Sequence, residues 1–180
     1  MRILHLTKAQ QTVSTWSGGT TTQLFIWPEN ADYASREFQL RISSATVELA
    51  ESDFTSLPGV ERYIIPLDGS FTLTHPLVDP IFLDPWATPY RFCGETPTHC
   101  VGVATDFNLM LKGVEGNMEI CSGEQCLQPG FHGLYPQESC TWQLNGLSYQ
   151  VQPGELLVLF LQESLPLSLP CPTIHCWAKL

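Results

Sequence analysis

Short alternations of apolar and polar residues dominate this chain. They cover residues 21–27, 38–47, 62–67, 70–75, 99–105, 107–112, 139–144, 148–151 and 155–161. A period of two over a few residues is the mark of a strand with two unlike faces. Helical periodicity is nearly absent: no window of 11 residues keeps apolar positions at i, i+3, i+4 and i+7 without a Gly, a Pro or a β-branched cluster interrupting. Turn signals separate the runs at Gly18-Gly19, Pro58-Gly59, Asp68-Gly69, Pro129-Gly130, Asn145-Gly146 and Pro153-Gly154. Strands and turns at this spacing predict an all-β sandwich or barrel. Asn145-Gly146, between two alternating runs, is the strongest hairpin signal. The order strand, turn, strand occurs around Asp68-Gly69 and again around Asn145-Gly146, about 77 residues later. Pro153-Gly154-Glu155 then leads into a strongly apolar strand. This weak repeat predicts two fused β-modules, residues 1–112 and a shorter 113–180.

Composition narrows the reading. At 180 residues, 43% hydrophobic and 14% charged, the chain suits one full core or two small fused modules. Its net charge of −10 repels a phosphate backbone and an anionic membrane surface, which argues against nucleic-acid and membrane partners. Residues 1–8 lack the apolar core of a signal peptide, and the longest apolar run, 156–161, is a strand length; a cytoplasmic protein is expected. The odd count of seven cysteines points to reduced thiols rather than a disulfide framework. Cys121-x4-Cys126 and Cys171-x3-His175-Cys176 are not metal knuckles, and the five histidines are dispersed, with no pair at metal-ligand spacing. No Gly-x-Ser-x-Gly elbow is present.

The residues from Pro58 to Gly69 have the outline of a cupin metal motif with its metal chemistry removed. Arg62, seven residues before Gly69, stands where an acidic ligand is expected. The two histidine places fall among Thr55, Ser56, Leu57 and Pro58, none of which supplies an imidazole. A fixed positive charge there attracts anions. Strand alternation puts Gln39, Arg41, Ser43 and Ala45 on one face, a set that fits either a lined cavity or a solvated face with Arg41 in a surface ion pair. Arg62 suits bidentate capture of a carboxylate or, alternatively, an ion pair with Glu61 or Asp106. Asp106, Asn108 and Met110 share a face opposite Phe107, Leu109 and Leu111. Trp16 precedes Gly18-Gly19 and either roofs a cavity or packs.

Trp16-x-Gly18-Gly19 with Thr21 and Gln23, Arg41-x-Ser43-x-Ala45, Asp53-Phe54-x-x-x-Pro58-Gly59-x-x-Arg62, Gly69, Phe92-x-Gly94-Glu95 and Asp106-x-Asn108-Leu109-Met110 together resemble the HutD/Ves family of cupin-like bacterial proteins. The match covers residues 16–112 well and departs after Lys112. The resemblance implies an RmlC-like cupin jelly roll, a bicupin of two fused β-barrel modules without metal or other cofactor. It also implies a link to histidine utilisation or stress responses, with no established catalytic reaction. The expected ligand is a small carboxylate or amino-acid derivative. Arg41 and Arg62 would engage the anion, Ser43, Gln23 and Asn108 would supply neutral hydrogen bonds, Asp106 would orient an arginine or meet an amino group, and Trp16 would pack over the ligand. Two other readings stand beside this one. One is a metal-independent isomerase or lyase with Asp106 or Glu61 as base. The other is a scaffold with a vestigial pocket. Homodimers by sheet pairing are common for this fold class.

Overall fold

The computed structural model describes residues 1–180. Its strands begin with β1 (Arg2–Leu6), β2 (Thr12–Trp16), β3 (Gly19–Trp27), β4 (Leu40–Val47), β5 (Glu51–Asp53), β6 (Val60–Asp68), β7 (Phe71–Thr74), β8 (Ile81–Leu83), β9 (Tyr90–Cys93), β10 (His99–Val101) and β11 (Ala104–Lys112). They continue with β12 (Gly116–Leu127), β13 (Gly130–Pro136), β14 (Cys140–Leu144), β15 (Leu147–Val151), β16 (Leu156–Leu161) and β17 (Leu165–Ala178). No helix is long and apolar enough to cross a membrane.

The chain divides into two compact units, Thr12–Gly113 and Met1–Gln11 with Val114–Leu180. The expected module of residues 1–112 is therefore corrected at its start. β1 pairs antiparallel with β16, Leu4 opposite Val158, and so belongs with the later part of the chain. The physical reason is the apolar run 156–161, whose free edge β1 closes, with Ile3 packed on the same core.

In that unit a five-stranded sheet, β1-β16-β13-β17-β12, packs with the β14-β15 hairpin around a core that includes Leu134, Trp142, Leu144, Val151, Leu157 and Leu159. Asn145 and Gly146 turn the hairpin at φ 51° and 74°, as a two-residue loop requires. β17 escapes the alternation signal because Pro166, Pro170 and Pro172 interrupt it. Pro166 lies where β17 pairs with β12 alone, and Pro170 and Pro172 lie in the break between the Leu169 and Thr173 registers.

The Thr12–Gly113 unit is built from a six-stranded sheet, β2-β3-β4-β11-β6-β9, and a four-stranded sheet, β5-β10-β7-β8. Ile64, Phe92 and Ala104 of the first meet Phe71, Leu73, Leu83 and Cys100 of the second in one cluster. Ile26, Phe38, Leu57, Val60 and Met110 form another. Asp68-Gly69 does not make the hairpin that the repeat implies. β6 pairs with β11 and β9, whereas β7 pairs with β10 and β8, so this turn hands the chain from one sheet to the other.

Gly69 sits at φ 72°, and a Cβ there would lie 2.5 Å from the Val103 carbonyl oxygen; Gly59 has nearly the same φ, 71°, but open space around it. Gly69→Ala is expected to lower unfolding free energy by roughly 2 kcal/mol or more, and Gly59→Ala by about 1 kcal/mol. Urea denaturation followed by circular dichroism checks the order; equal losses would mean that the backbone contact has relaxed.

Candidate functional site

β4, β11 and β6 lie side by side at the centre of the six-stranded sheet. Their register puts Met110 between Arg41 and Arg62, Asn108 between Ser43 and Ile64, and Asp106 between Ala45 and Pro66. Residues directly opposite in a ladder point the same way. The inner face thus carries a polar band, Arg41, Ser43, Arg62, Asp106 and Asn108, between the two apolar clusters. These side chains line a cavity of about 320 Å³, together with Trp16 and residues from the loops and short strands around them. The two arginines stand two strand spacings apart, roughly 10 Å between backbones.

Both guanidiniums are buried, with Arg41 5% and Arg62 6% exposed. Arg41 donates from Nε to Gln23 Oε1 (3.0 Å) and from Nη1 to Ser43 Oγ (3.0 Å), and it lies 4.0 Å from the Tyr33 ring centroid. Arg62 donates from Nη2 to Asn108 Oδ1 (3.3 Å) and lies 4.8 Å and 5.0 Å from the Phe54 and Phe92 ring centroids. Its Nε–H is buried without any partner. Neither arginine forms an ion pair. Burial pushes Arg62 down to about 10 and lowers Arg41 as well, yet both stay charged at neutral pH.

Asn108 separates Arg62 from the carboxylate. While its Oδ1 accepts from Arg62, its Nδ2 donates to Asp106 Oδ1, which also accepts from Ala45 N–H (3.3 Å). Burial drives the Asp106 carboxyl up to about 7, against the opposing pull of Arg62, the Ala45 amide and Asn108.

Six of the seven residues expected at the site line this cavity. Gln23 does not: it faces Ser43 across the β3–β4 ladder and acts through Arg41 instead. The alternative ion pairs are also corrected. Glu61 points to the other face of β6, where it takes hydrogen bonds from Tyr63 and Arg91, and Arg41 is enclosed rather than at the surface. Trp16 is 38% exposed and its ring lies over Gly18, where a Cβ would come within 2.1 Å of it. Tyr33 lies in no regular strand, and nothing in its local sequence marks it as a cavity residue. Phe54 carries a weak signal as part of the Asp53-Phe54 pair.

The model of the HutD family matches residues 8–128. The chain belongs to the HutD family. Among solved structures, HutD from Pseudomonas fluorescens SBW25 superposes with a TM-score of 0.82 at 18% identity, covering 99% of this chain and 98% of that one. The conserved protein of unknown function PA5104 from Pseudomonas aeruginosa PAO1 gives 0.81 at 19% identity, with the same coverage. The bacterial pirin YhhW from Escherichia coli, in complex with nickel(II), gives 0.66 at 8% identity, covering 99% of each chain. At these identities the likeness is one of fold, all-β and cupin-like. No curated protein matches the chain.

In this HutD-family chain the cavity does not fit a divalent cation, because its floor presents two guanidiniums. No group of three or more His, Cys, Asp or Glu side chains is placed to hold a metal ion. All seven cysteines are free. The histidines are less dispersed than their spacing implies. In the other unit His132 and His175 stack with ring centroids 5.1 Å apart, and His132 Nδ1 lies 2.8 Å from His175 Nε2. His132 Nε2 donates to the Gln128 carbonyl at 2.6 Å, and burial pushes this imidazole down to about 4, so it is neutral.

Asp106 also sets a pH dependence of stability. An unfolded Asp ionises near pH 4, whereas here the folded carboxyl does so at about 7. The folded state keeps the proton after the unfolded chain has lost it. Stability therefore falls as pH rises between those values and levels off above them. Asp106→Asn is expected to match wild type near pH 4 and to be more stable above about pH 7, by up to roughly 4 kcal/mol. Urea midpoints at the two pH values check this; a constant difference would show that Asp106 ionises normally.

Proposed function

We propose that this protein binds a small organic anion, a carboxylate or an amino-acid derivative, without a metal ion, in the cavity of its Thr12–Gly113 unit. One observation carries the reading: two buried guanidiniums have only neutral oxygens as hydrogen-bond acceptors, and one of them has an unpartnered N–H. A buried charge without a counter-charge is costly, and a ligand carboxylate supplies both the charge and the missing acceptors. Ser43, Asn108 and Trp16 complete the site. Read with the family, the two units correspond to the modules of a bicupin, and the binding serves a sensing or regulatory role in histidine utilisation or a stress response. A scaffold with a vestigial pocket predicts no concave site, and the cavity of about 320 Å³ counts against it.

Titration calorimetry with a panel of small carboxylates tests the reading. Arg62→Ala and Arg41→Ala are expected to weaken binding at least roughly tenfold, about 1.4 kcal/mol. Glu61→Gln, on the other face of β6, should leave it unchanged. Equal affinities for wild type and Arg62→Ala would remove Arg62 from the site.

A second reading has its own support. Asp106 is a buried carboxyl with a pKa near neutrality facing the same cavity as the arginines, which is what a metal-independent isomerase or lyase acting on a small acid needs. Such an enzyme is expected to exchange the α-proton of a bound acid with solvent deuterium, and Asp106→Asn should abolish the exchange. Proton NMR of the acid in deuterium oxide reads it. Stable signals with every acid that binds would leave binding alone as the function.

A further inference from the structure

The hydrogen bonds of Asp106 are one-sided. Both of its donors, Ala45 N–H and Asn108 Nδ2–H, go to Oδ1. The Asn108 amide is held in that sense because its own Oδ1 accepts from Arg62. Oδ2 has no partner in the protein, and it is not among the sealed polar atoms, so it keeps access to the cavity. The groups around the carboxyl are Arg41 on β4, Arg62 on β6, Tyr33 from the loop before β4, Asp53 at the rim on β5 and the Cys100 thiol on β10. Burial pushes that thiol up to about 12, so it is neutral. None of them fills the Oδ2 position.

Consider an anion held by the two arginines, as in the function proposed above, on which this step rests. Against an ionised Asp106 it meets a second negative charge and an oxygen with nothing to donate. With a proton on Oδ2 the repulsion vanishes and a donor appears, in an O–H···O⁻ bond of the strong, charge-assisted kind. We propose that Asp106 holds the bound anion as a neutral acid, Oδ2–H donating to an anion oxygen, so that anion binding above neutrality takes one proton from solvent.

The charges balance. Before binding, two guanidiniums and one carboxylate give the site a net charge of one positive; afterwards the anion adds one negative charge and the proton one positive, and the sum is unchanged. Entry of the anion together with a proton thus avoids changing the charge of a buried cavity, the costly step in a low-dielectric interior. Binding and protonation are reciprocally linked: acidification strengthens anion binding, and the anion raises the proton affinity of Asp106.

Formate is the probe, since it stays ionised above about pH 5.5. Calorimetry is run at about pH 5.5 and about pH 8.5 in two amine buffers of different ionisation heat, so that affinity and proton uptake are read together. Wild type is expected to bind roughly thirtyfold more weakly at the higher pH, with uptake there approaching one proton per formate. Asp106→Asn keeps Oδ1 for its two donors and offers an N–H in place of O–H, so it should bind equally at both pH values without proton uptake. Carbon-13 NMR of the wild-type Asp106 carboxyl gives a reading independent of the variant: its titration should move to higher pH when formate is added. Formate binding without pH dependence or proton uptake, or an ionised Asp106 carboxyl in the formate complex, overturns the coupling and leaves the anion reading standing. Absence of formate binding by wild type at both pH values overturns the anion reading and the coupling with it.

Discussion

Two guanidinium groups held inside a β-sandwich with no carboxylate paired directly to either are the constraint on which the Thr12–Gly113 unit depends. A buried cation needs acceptors for its N–H groups and polarisable surface for its faces. Gln23, Ser43 and Asn108 provide the first, and Tyr33, Phe54 and Phe92 the second. The arrangement works because the three central strands carry these groups in one continuous band, with apolar clusters at either end keeping the backbone fixed. Packing tolerates the charge. It does not neutralise it.

Asn108 is the residue that keeps the site positive. A carboxylate at its position would pair directly with Arg62 and remove the field that draws an anion. The amide instead accepts from the arginine on one side and donates to Asp106 on the other, passing polarity along without charge. The contrast lies on the opposite face of β6, where Arg91 donates to Glu61 in an ordinary exposed ion pair. In a chain with a net charge of −10, an unpaired pair of arginines marks a local reversal of sign. The unit formed by residues 1–11 and 114–180 has no such band. Its core is dominated by leucines and a buried Trp142, and its most polar interior feature is a neutral His132 stacked on His175.

Where the sequence misled, the causes are specific. Proline breaks the alternation of β17, and the long strand persists because its missing N–H groups fall where β17 has a single partner strand or where its register with β12 is broken. The Asp68-Gly69 turn carries the same residues as a hairpin, but the strands on either side of it pair elsewhere, which local turn chemistry cannot disclose. β1 joined the distant apolar run 156–161 because that strand had an open edge. His132 and His175, 43 residues apart in the chain, meet by way of the β13–β17 pairing.

By itself, the sequence determined that the chain is all-β and which residues share a face, because a strand's period of two is a local property of the backbone. It also placed Arg62 where the outline of a metal motif expects an acidic ligand, and put Arg41 with Ser43 and Asp106 with Asn108 on shared strand faces. Only the tertiary structure decided that these faces converge, that Gln23 stands behind Arg41, and that Tyr33 and Phe54 close over the arginines. Those outcomes depend on the order of strands in the sheet and on burial. Both arise from contacts between residues far apart in the chain, and burial is what turns an arginine from a solvated charge into one that requires an anion.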